Sequence, residues 1–330
     1  MEHTSSWLQS CCAGTSVILA IGIILLSLVI YGNKCRGSHV PLDPKGWAVL
    51  VTGCNSGFGN QMAFRLLDMG FTVFAACLFP DGEGARSLAR YSSPGQVKVI
   101  KLDVTSDAEV AKAKEYVENN LPAKGLWGIV NNAGISAWGM SNWHTIAQYQ
   151  RMLDVNLLGY IRTTLAFYQL IQRSKGRMVF LSSINAYIAL GNGIYSMTKA
   201  GVEKFCDSLR FEMAPHGVKV CIIEPGNYAP ATNIQPMRST DDIWDSLPAE
   251  ARETCSKEYV EKINQSVNKS LTKGNKKSSE VVDAIVDALT SESPRPRYLV
   301  ASLAEKIIVY LSLWLPTSLF DKMLSKAFSR

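Results

Sequence analysis

The sequence predicts an α/β fold, a doubly wound parallel sheet, behind an N-terminal transmembrane helix. Three observations predict it. Short, almost continuously apolar runs alternate with stretches of helical spacing, as strands covered on both faces of a parallel sheet require. A glycine-rich turn, Thr52-Gly53-Cys54-Asn55-Ser56-Gly57-Phe58-Gly59, joins the first apolar run to the first helical stretch. Ahead of both, residues 15–31 (TSVILAIGIILLSLVIY) carry no charge, and a helix of that length, rising about 1.5 Å per residue, just spans a hydrocarbon core of roughly 30 Å.

The N-terminal stretch could also be a cleaved secretory signal. Its basic residues, Lys34, Arg36 and Lys45, follow the apolar run instead of preceding it, which favours an anchor over residues 1–32. Positive flanks stay on the cytoplasmic side, so the folded domain is expected to face the cytosol from the endoplasmic reticulum membrane. Residues 1–14 contain no lysine or arginine, so a mitochondrial membrane is disfavoured. Asn264-Gln265-Ser266 and Asn268-Lys269-Ser270 match the glycosylation pattern, which would matter for a lumenal domain. Residues 33–46, with two prolines, read as a linker.

Within the domain, expected at 47–300, Trp47 to Val51 is the first strand. Phe58, Met62, Leu66 and Met69 give the next helix its spacing, with Gly70 as its stop. Further strands are expected at 71–78, 97–102, 126–130, 177–181 and 218–224. Helices are expected at 107–120, across the long stretch 145–173, and at 195–214. The alternation describes a Rossmann-like sheet. Residues 227–278 are polar and irregular and read as a mobile lid with some helix. Residues 301–330 are apolar again. Glu305 and Lys306 make the run too short for a second span, so a helix lying on the membrane or at the substrate mouth is preferred to ordinary core packing.

Composition narrows the function. With 330 residues and 47% hydrophobic content, the chain can bury a full core. Net charge is +6, and residues 261–330 hold eleven lysines and arginines against seven acids. That surplus lacks the dense basic clusters of a nucleic-acid binder and suits a solvated or membrane-facing surface. The eight cysteines show no CxxC spacing and read as reduced, packed thiols. The four histidines offer no ligand set for zinc, so metal-free chemistry is expected.

Chemistry is concentrated in four motifs. The turn Gly53-x-x-x-Gly57-x-Gly59 lies between a strand and a helix, where glycines let backbone approach a pyrophosphate and the helix N-terminus supplies amide donors. Asn131-Asn132-Ala133-Gly134 follows the fourth strand, and Ser182-Ser183 the fifth. Tyr195-Ser196-Met197-Thr198-Lys199 puts a phenol and an amine four residues apart, on one face of a helix. In this order the motifs resemble the short-chain dehydrogenase/reductase family over residues 46–300. TGCNSGFG, GLWGIVNNAGIS and Glu224-Pro225-Gly226-Asn227 are most similar to its branch of retinol, hydroxysteroid and 3-hydroxybutyrate dehydrogenases. Asn55 departs from the aspartate common there.

The resemblance implies a nicotinamide dinucleotide site at Gly53, Asn55, Ser56, Gly57, Phe58 and Gly59. Asp103 and Val104 would border the adenine; Asp103 could equally cap the following helix. Asn131, Ala133 and Gly134 would line the cofactor and steady the sheet centre, Pro225 and Gly226 would meet the nicotinamide carboxamide, and Asn227 and Thr232 would lead into the lid. Tyr195 would be the base that takes the alcohol proton, with the Lys199 ammonium and the oxidised nicotinamide favouring its phenolate. Lys199 would also hold the ribose. Ser183, or Ser182 in second place, would stabilise the substrate oxygen. Asn156 would open a proton-relay path to Lys199. The second strand ends in Cys77-Leu78-Phe79, with neither acid nor base, which favours NAD and leaves NADP as the alternative through Arg86.

The segment 184–194 (INAYIALGNGI) carries no charge and would line the substrate site. A hydroxy acid needs a cation for its carboxylate, which a lid lysine or arginine could supply. A lipophilic alcohol or ketone, retinoid or steroid, needs none and suits a chain held at a lipid bilayer. The expected activity is therefore oxidation of a lipid alcohol, with 3-hydroxybutyrate as the enzymatic alternative and a non-catalytic nucleotide-binding membrane protein as the alternative of another class. A homo-oligomer is implied by the resemblance alone.

Overall fold

Seven strands form one parallel sheet among the described residues of the computed structural model, in the order β3-β2-β1-β4-β5-β6-β7. They are β1 (Trp47–Thr52), β2 (Thr72–Cys77), β3 (Gln96–Lys101), β4 (Gly125–Asn131), β5 (Arg177–Leu181), β6 (Lys219–Pro225) and β7 (Arg297–Val300). The described residues are 42–93, 95–189 and 191–328, so the expected anchor over 1–32 lies outside them. Among them no helix is long and apolar enough to cross a membrane. Residues 43–290 and 294–330 form the compact unit described below. A second unit joins 1–42 with 291–293, and its described residues carry neither helix nor strand.

The strands are those the apolar runs predict, with β7 added at the edge. β2 and β5 are buried along their whole length and β1 beyond its first residue, so their side chains feed two cores by period-two alternation. Ala48, Leu50, Phe74, Ile129, Phe180 and Ile222 face one layer. It is completed by α3 (Asp107–Asn119), α5 (Gly159–Ser174) and α6 (Gly193–Met213). On the opposite face α1 (Gly57–Met69) packs against α10 (Ser279–Thr290). The β1–β4 register shifts between Ala48 and Val49, and Trp127 at that irregularity donates its indole N–H to Leu289 O at 2.7 Å.

Helix α1 buries Gly59, Met62, Ala63, Leu66 and Leu67 and stops at Gly70, left-handed at φ 99°. Phe58, expected on that apolar face, instead lines the cleft described below. The single helix expected over 145–173 is two, α4 (Ile146–Leu153) and α5, joined by a π-turn at Asp154–Leu158. Such a turn holds an extra residue, which changes the face presented by everything after it. The cap considered for Asp103 beside its adenine role falls to another residue. Ser106 caps α3 by accepting from Glu109 N, while Asp103 accepts from Thr105 N at 2.9 Å and Thr105 Oγ1 at 2.7 Å in a tight turn.

α2 (Glu83–Ala89) follows β2, and the stretch 227–278 holds α7 (Thr240–Ser246), α8 (Ala249–Thr254) and α9 (Lys257–Lys273). Asn264 is buried in α9 and donates to Arg238 O at 3.0 Å, so its amide is packed and not presented as a glycosylation acceptor. Two helices, α11 (Leu303–Trp314) and α12 (Thr317–Phe328), follow β7. Their Val309 and Phe320 pack with Ile188, beside the uncharged segment after Ser183.

Phe180 lies at the sheet centre, fully buried with its ring 6.3 Å from Tyr160 and 6.0 Å from Phe205. Phe180→Ala is expected to destabilise the chain by about 3–5 kcal/mol. Phe211→Ala, at a side chain 80% exposed, should stay within about 0.5 kcal/mol of wild type in chemical denaturation.

Candidate active site

Strand order reverses between β1 and β4, and a crevice opens above the carboxyl ends of the strands at that point. It is a cavity of about 1430 Å³. One side chain staples its floor. Thr52 Oγ1 donates to Val130 O at 3.3 Å and accepts from Asn132 N at 2.9 Å and Ala133 N at 3.0 Å. Gly53 and Gly57 adopt φ of 76° and 60°, values that glycine takes without strain. A Cβ on Gly53 would lie 2.8 Å from Ala133 Cα, so the turn and the strand-four segment approach as closely as bare backbone permits.

Gly53, Asn55, Ser56, Gly57 and Phe58 line the cavity, as do Asp103, Val104, Ala133, Gly134, Pro225 and Gly226. Two of the expected cofactor-binding residues do not. Gly59 is buried in α1, where a Cβ would stand 2.3 Å from Gly53 O, so it serves the close packing of helix on turn. Asn131 is fully buried at the end of β4 and donates to Thr164 Oγ1 at 3.1 Å. Its neighbour Asn132 lines the cavity instead and donates to Thr52 O at 2.8 Å. One step along a strand reverses the face, and that step separates the two asparagines.

Asn55 clasps the loop after β2 from both sides. It donates to Phe79 O at 2.6 Å and accepts from Phe79 N at 3.1 Å. An aspartate could accept there but not donate, so the departure noted in the sequence gives this loop a second bond. Leu78 and Phe79 line the cavity beside it, and Arg86 is not among the lining residues.

The cavity suits a dinucleotide on observations of this chain. Its glycine turn lies at the N-terminus of α1, where free amides and the helix dipole favour phosphate. Thr232, whose Cβ would meet a Cβ on Gly57 at 3.6 Å, lines the cavity with its buried hydroxyl unpartnered. A polar ligand at this end would satisfy it.

Ser182, Ser183, Tyr195 and Lys199 line the same cavity. The extended backbone of Ser183 follows β5, and its Oγ accepts from Asn185 N at 3.2 Å and donates to Pro225 O at 3.5 Å. Tyr195 and Lys199 share one face of α6, and Lys199 Nζ stands 5.5 Å from the Tyr195 ring centroid. The ammonium donates to Leu181 O at 2.6 Å and to Tyr160 Oη at 3.4 Å. Burial holds the Lys199 ammonium down, to about 7. Burial also pushes the Tyr195 phenol up, and hydrogen bonding with Ser183 only partly opposes it. In the chain alone, desolvation governs both groups.

Asn156 lies in the π-turn, fully buried and not among the cavity-lining residues. Its side chain grips Ile135 at both ends, accepting from N at 2.9 Å and donating to O at 2.8 Å. It also donates to Thr198 Oγ1 at 3.2 Å, and Thr198 donates to Tyr195 O at 2.7 Å. The structure brings Asn156 to Thr198, and through it to the α6 backbone.

Sequence reading missed the ion cluster behind this wall. Arg297, first residue of β7, meets Glu203 and Asp207 of α6 and Glu224 of β6, the latter two at 2.6 Å and 2.8 Å. It also donates to Tyr187 Oη at 2.8 Å, which donates to Glu224 at 2.7 Å. Arg210 pairs with Asp207 at 3.0 Å. Two arginines face three acids. Burial and Asp207 raise the Glu224 carboxyl to about 7, against the Tyr187 hydrogen bond and Arg210.

Residues 47–242 match the family model described as short chain dehydrogenase. The chain is 43% identical over 226 residues to the mitochondrial D-beta-hydroxybutyrate dehydrogenase of Rattus norvegicus, a match covering 66% of each chain, about two thirds of that relative's length. It is 38% identical over 310 residues to 17-beta-hydroxysteroid dehydrogenase type 6 of Bos taurus, covering 93% of this chain and 96% of that one. A short-chain dehydrogenase from Streptomyces avermitilis shares the fold, with a TM-score of 0.67 at 21% identity, over 86% of this chain and 96% of that one.

The Glu224 proton sets a pH dependence. An unfolded glutamate titrates near 4.5, so between there and about 7 the folded chain holds a proton that the unfolded chain lacks. Stability from this source is fully present below 4.5 and is lost as pH rises through about 7. The melting temperature is expected to fall between pH 5 and 7.5, by at most about 1.4 kcal/mol of stability per pH unit. Glu224→Gln should flatten that fall in calorimetry.

Proposed function

The chain belongs to the short-chain dehydrogenase family, and from that premise we propose that it oxidises a lipophilic alcohol with NAD, or reduces the matching ketone. The observation that carries this reading is that Ser183, Tyr195 and Lys199 share a cavity with Ile135, Met140, Ile184, Ile234 and Ile263, an apolar wall suited to a hydrocarbon body. The nicotinamide dinucleotide, when bound, supplies the hydride acceptor. Ser183 Oγ holds the substrate oxygen and Tyr195 Oη takes its proton. Lys199, 5.5 Å from the Tyr195 ring, places its amine beside the phenol. NAD is preferred because Leu78 and Phe79 offer no cation to a ribose phosphate.

Membrane attachment is part of the proposal. Leu303, Ile307, Tyr310, Leu313 and Trp314 of α11 are each at least half exposed, an apolar surface that a bilayer would cover. With residues 15–31 as anchor, a substrate could pass from lipid to the cavity without crossing water. The cytosolic face of the endoplasmic reticulum suits that route. Self-association draws support from Leu165 and Phe211, exposed on α5 and α6.

A second reading is favoured by one side chain. Lys262 of the lid lines the cavity and would supply the cation that a short hydroxy acid needs. The hydroxybutyrate dehydrogenase relative points the same way.

NADH fluorescence in membranes holding the full chain, supplied with NAD and all-trans-retinol, steroid alcohols or 3-hydroxybutyrate, separates the readings. Turnover of a lipid alcohol, reduced at least about 10²-fold in Tyr195→Phe, is expected. Activity confined to 3-hydroxybutyrate and lost in Lys262→Ala would put the hydroxy acid in its place, and silence with every substrate would favour a non-catalytic nucleotide-binding role.

A further inference from the structure

The turn Gly226–Asn227, just beyond the sheet, is held by a residue nearly eighty positions downstream. Glu305, in the first turn of α11, accepts from Asn227 N through Oε1 at 2.8 Å. Its Oε2 accepts from Ser302 N and Ser302 Oγ, both at 2.8 Å, and closes the capping box that starts the helix. The carboxylate lies against Gly226 so closely that a Cβ there would stand 2.6 Å from Oε2. Glu305 also lines the cavity.

Asn227 is fixed from the other side as well. Its side chain donates to Ser270 O of α9 at 2.8 Å, and its carbonyl accepts from Asn275 N at 2.7 Å. Gly226 N donates to Val300 O at 2.8 Å, a bond that restrains the turn before Asn227 but leaves the Asn227 amide to Glu305. Capping needs only one oxygen of a glutamate. The second, spent on Asn227, does nothing for the helix.

We infer that Glu305 is a positioning residue that holds turn 226–227 in the conformation receiving the nicotinamide end of the cofactor. The inference rests on the reading of that turn as the nicotinamide end of a dinucleotide site. A charge-assisted bond to a backbone amide is stronger than a neutral one, so its loss should be felt at the turn before it is felt in the fold. The adenosine end, held by the glycine turn and Asp103, should not register it.

Binding of NAD and of ADP-ribose, which lacks the nicotinamide, to the full-length chain in detergent tests this. Glu305→Ala is expected to weaken NAD about tenfold or more and to leave ADP-ribose unchanged. Glu305→Gln keeps an acceptor for Asn227 and should restore most of the NAD affinity. Ser302→Ala removes the side-chain cap and one of the two donors to Oε2 but leaves Oε1 on Asn227 N, so it should lower the melting temperature and weaken NAD much less than Glu305→Ala does. Wild-type NAD affinity in Glu305→Ala, an equal loss in Ser302→Ala, or a parallel loss of ADP-ribose would overturn the inference. Failure of the wild-type chain to bind either ligand would instead remove the dinucleotide reading on which it stands.

Discussion

The hydroxyl of Thr52 is the point on which the functional end depends. Parallel strands that fan apart at a reversal of order leave backbone groups without ladder partners, and at β1 and β4 these are the amides of Asn132 and Ala133. One oxygen accepts both and donates to Val130 O. Each bond is worth about 1 kcal/mol net, but an unsatisfied buried amide costs more than the bond returns. With the staple in place, Gly53 can close on Ala133 and the crevice keeps a fixed width.

The wall that carries Ser183, Tyr195 and Lys199 is held from behind by charge. Ser183 leaves β5, Tyr195 and Lys199 ride on α6, and Pro225 ends β6; nothing local in the chain fixes their relative positions. Arg297 touches α6 through Glu203 and Asp207, β6 through Glu224, and the segment after Ser183 through Tyr187. Such a cluster is poor evidence for stability, since desolvation offsets much of the attraction. Its geometry restricts how these three elements can sit. Asn156 does similar work at the other side, joining the segment after β4 to the α6 backbone through Thr198.

What could be read in the sequence was whatever repeats at short range. Six strands show as apolar runs, and the glycine turn, the serine pair and the Tyr-x-x-x-Lys spacing are each contained within one turn or helix. The rest was hidden for physical reasons. β7 is four residues long and merges into the apolar run that becomes α11. Asn131 and Asn132 differ only in which face each takes, which the end of a strand decides. Ser106-x-x-Glu109 did carry a cap signal that could have displaced Asp103, although Glu109 turns its side chain to Asp103 N. Glu305 and Arg297 act on partners dozens of residues away, where no spacing rule reaches.

The π-turn at Asp154–Leu158 is a surplus of one residue stored inside an otherwise regular rod. Before it, Met152 packs with Ile194 and Tyr195; after it, Tyr160, Phe167 and Ile171 pack on the sheet. Removing any one residue of the turn would let an ordinary helix close and keep its hydrogen bonds, yet would rotate one half against the other by about 100°. The phase between the wall that carries Tyr195 and the core is thus written as a residue count, and a single-codon deletion would uncouple the two.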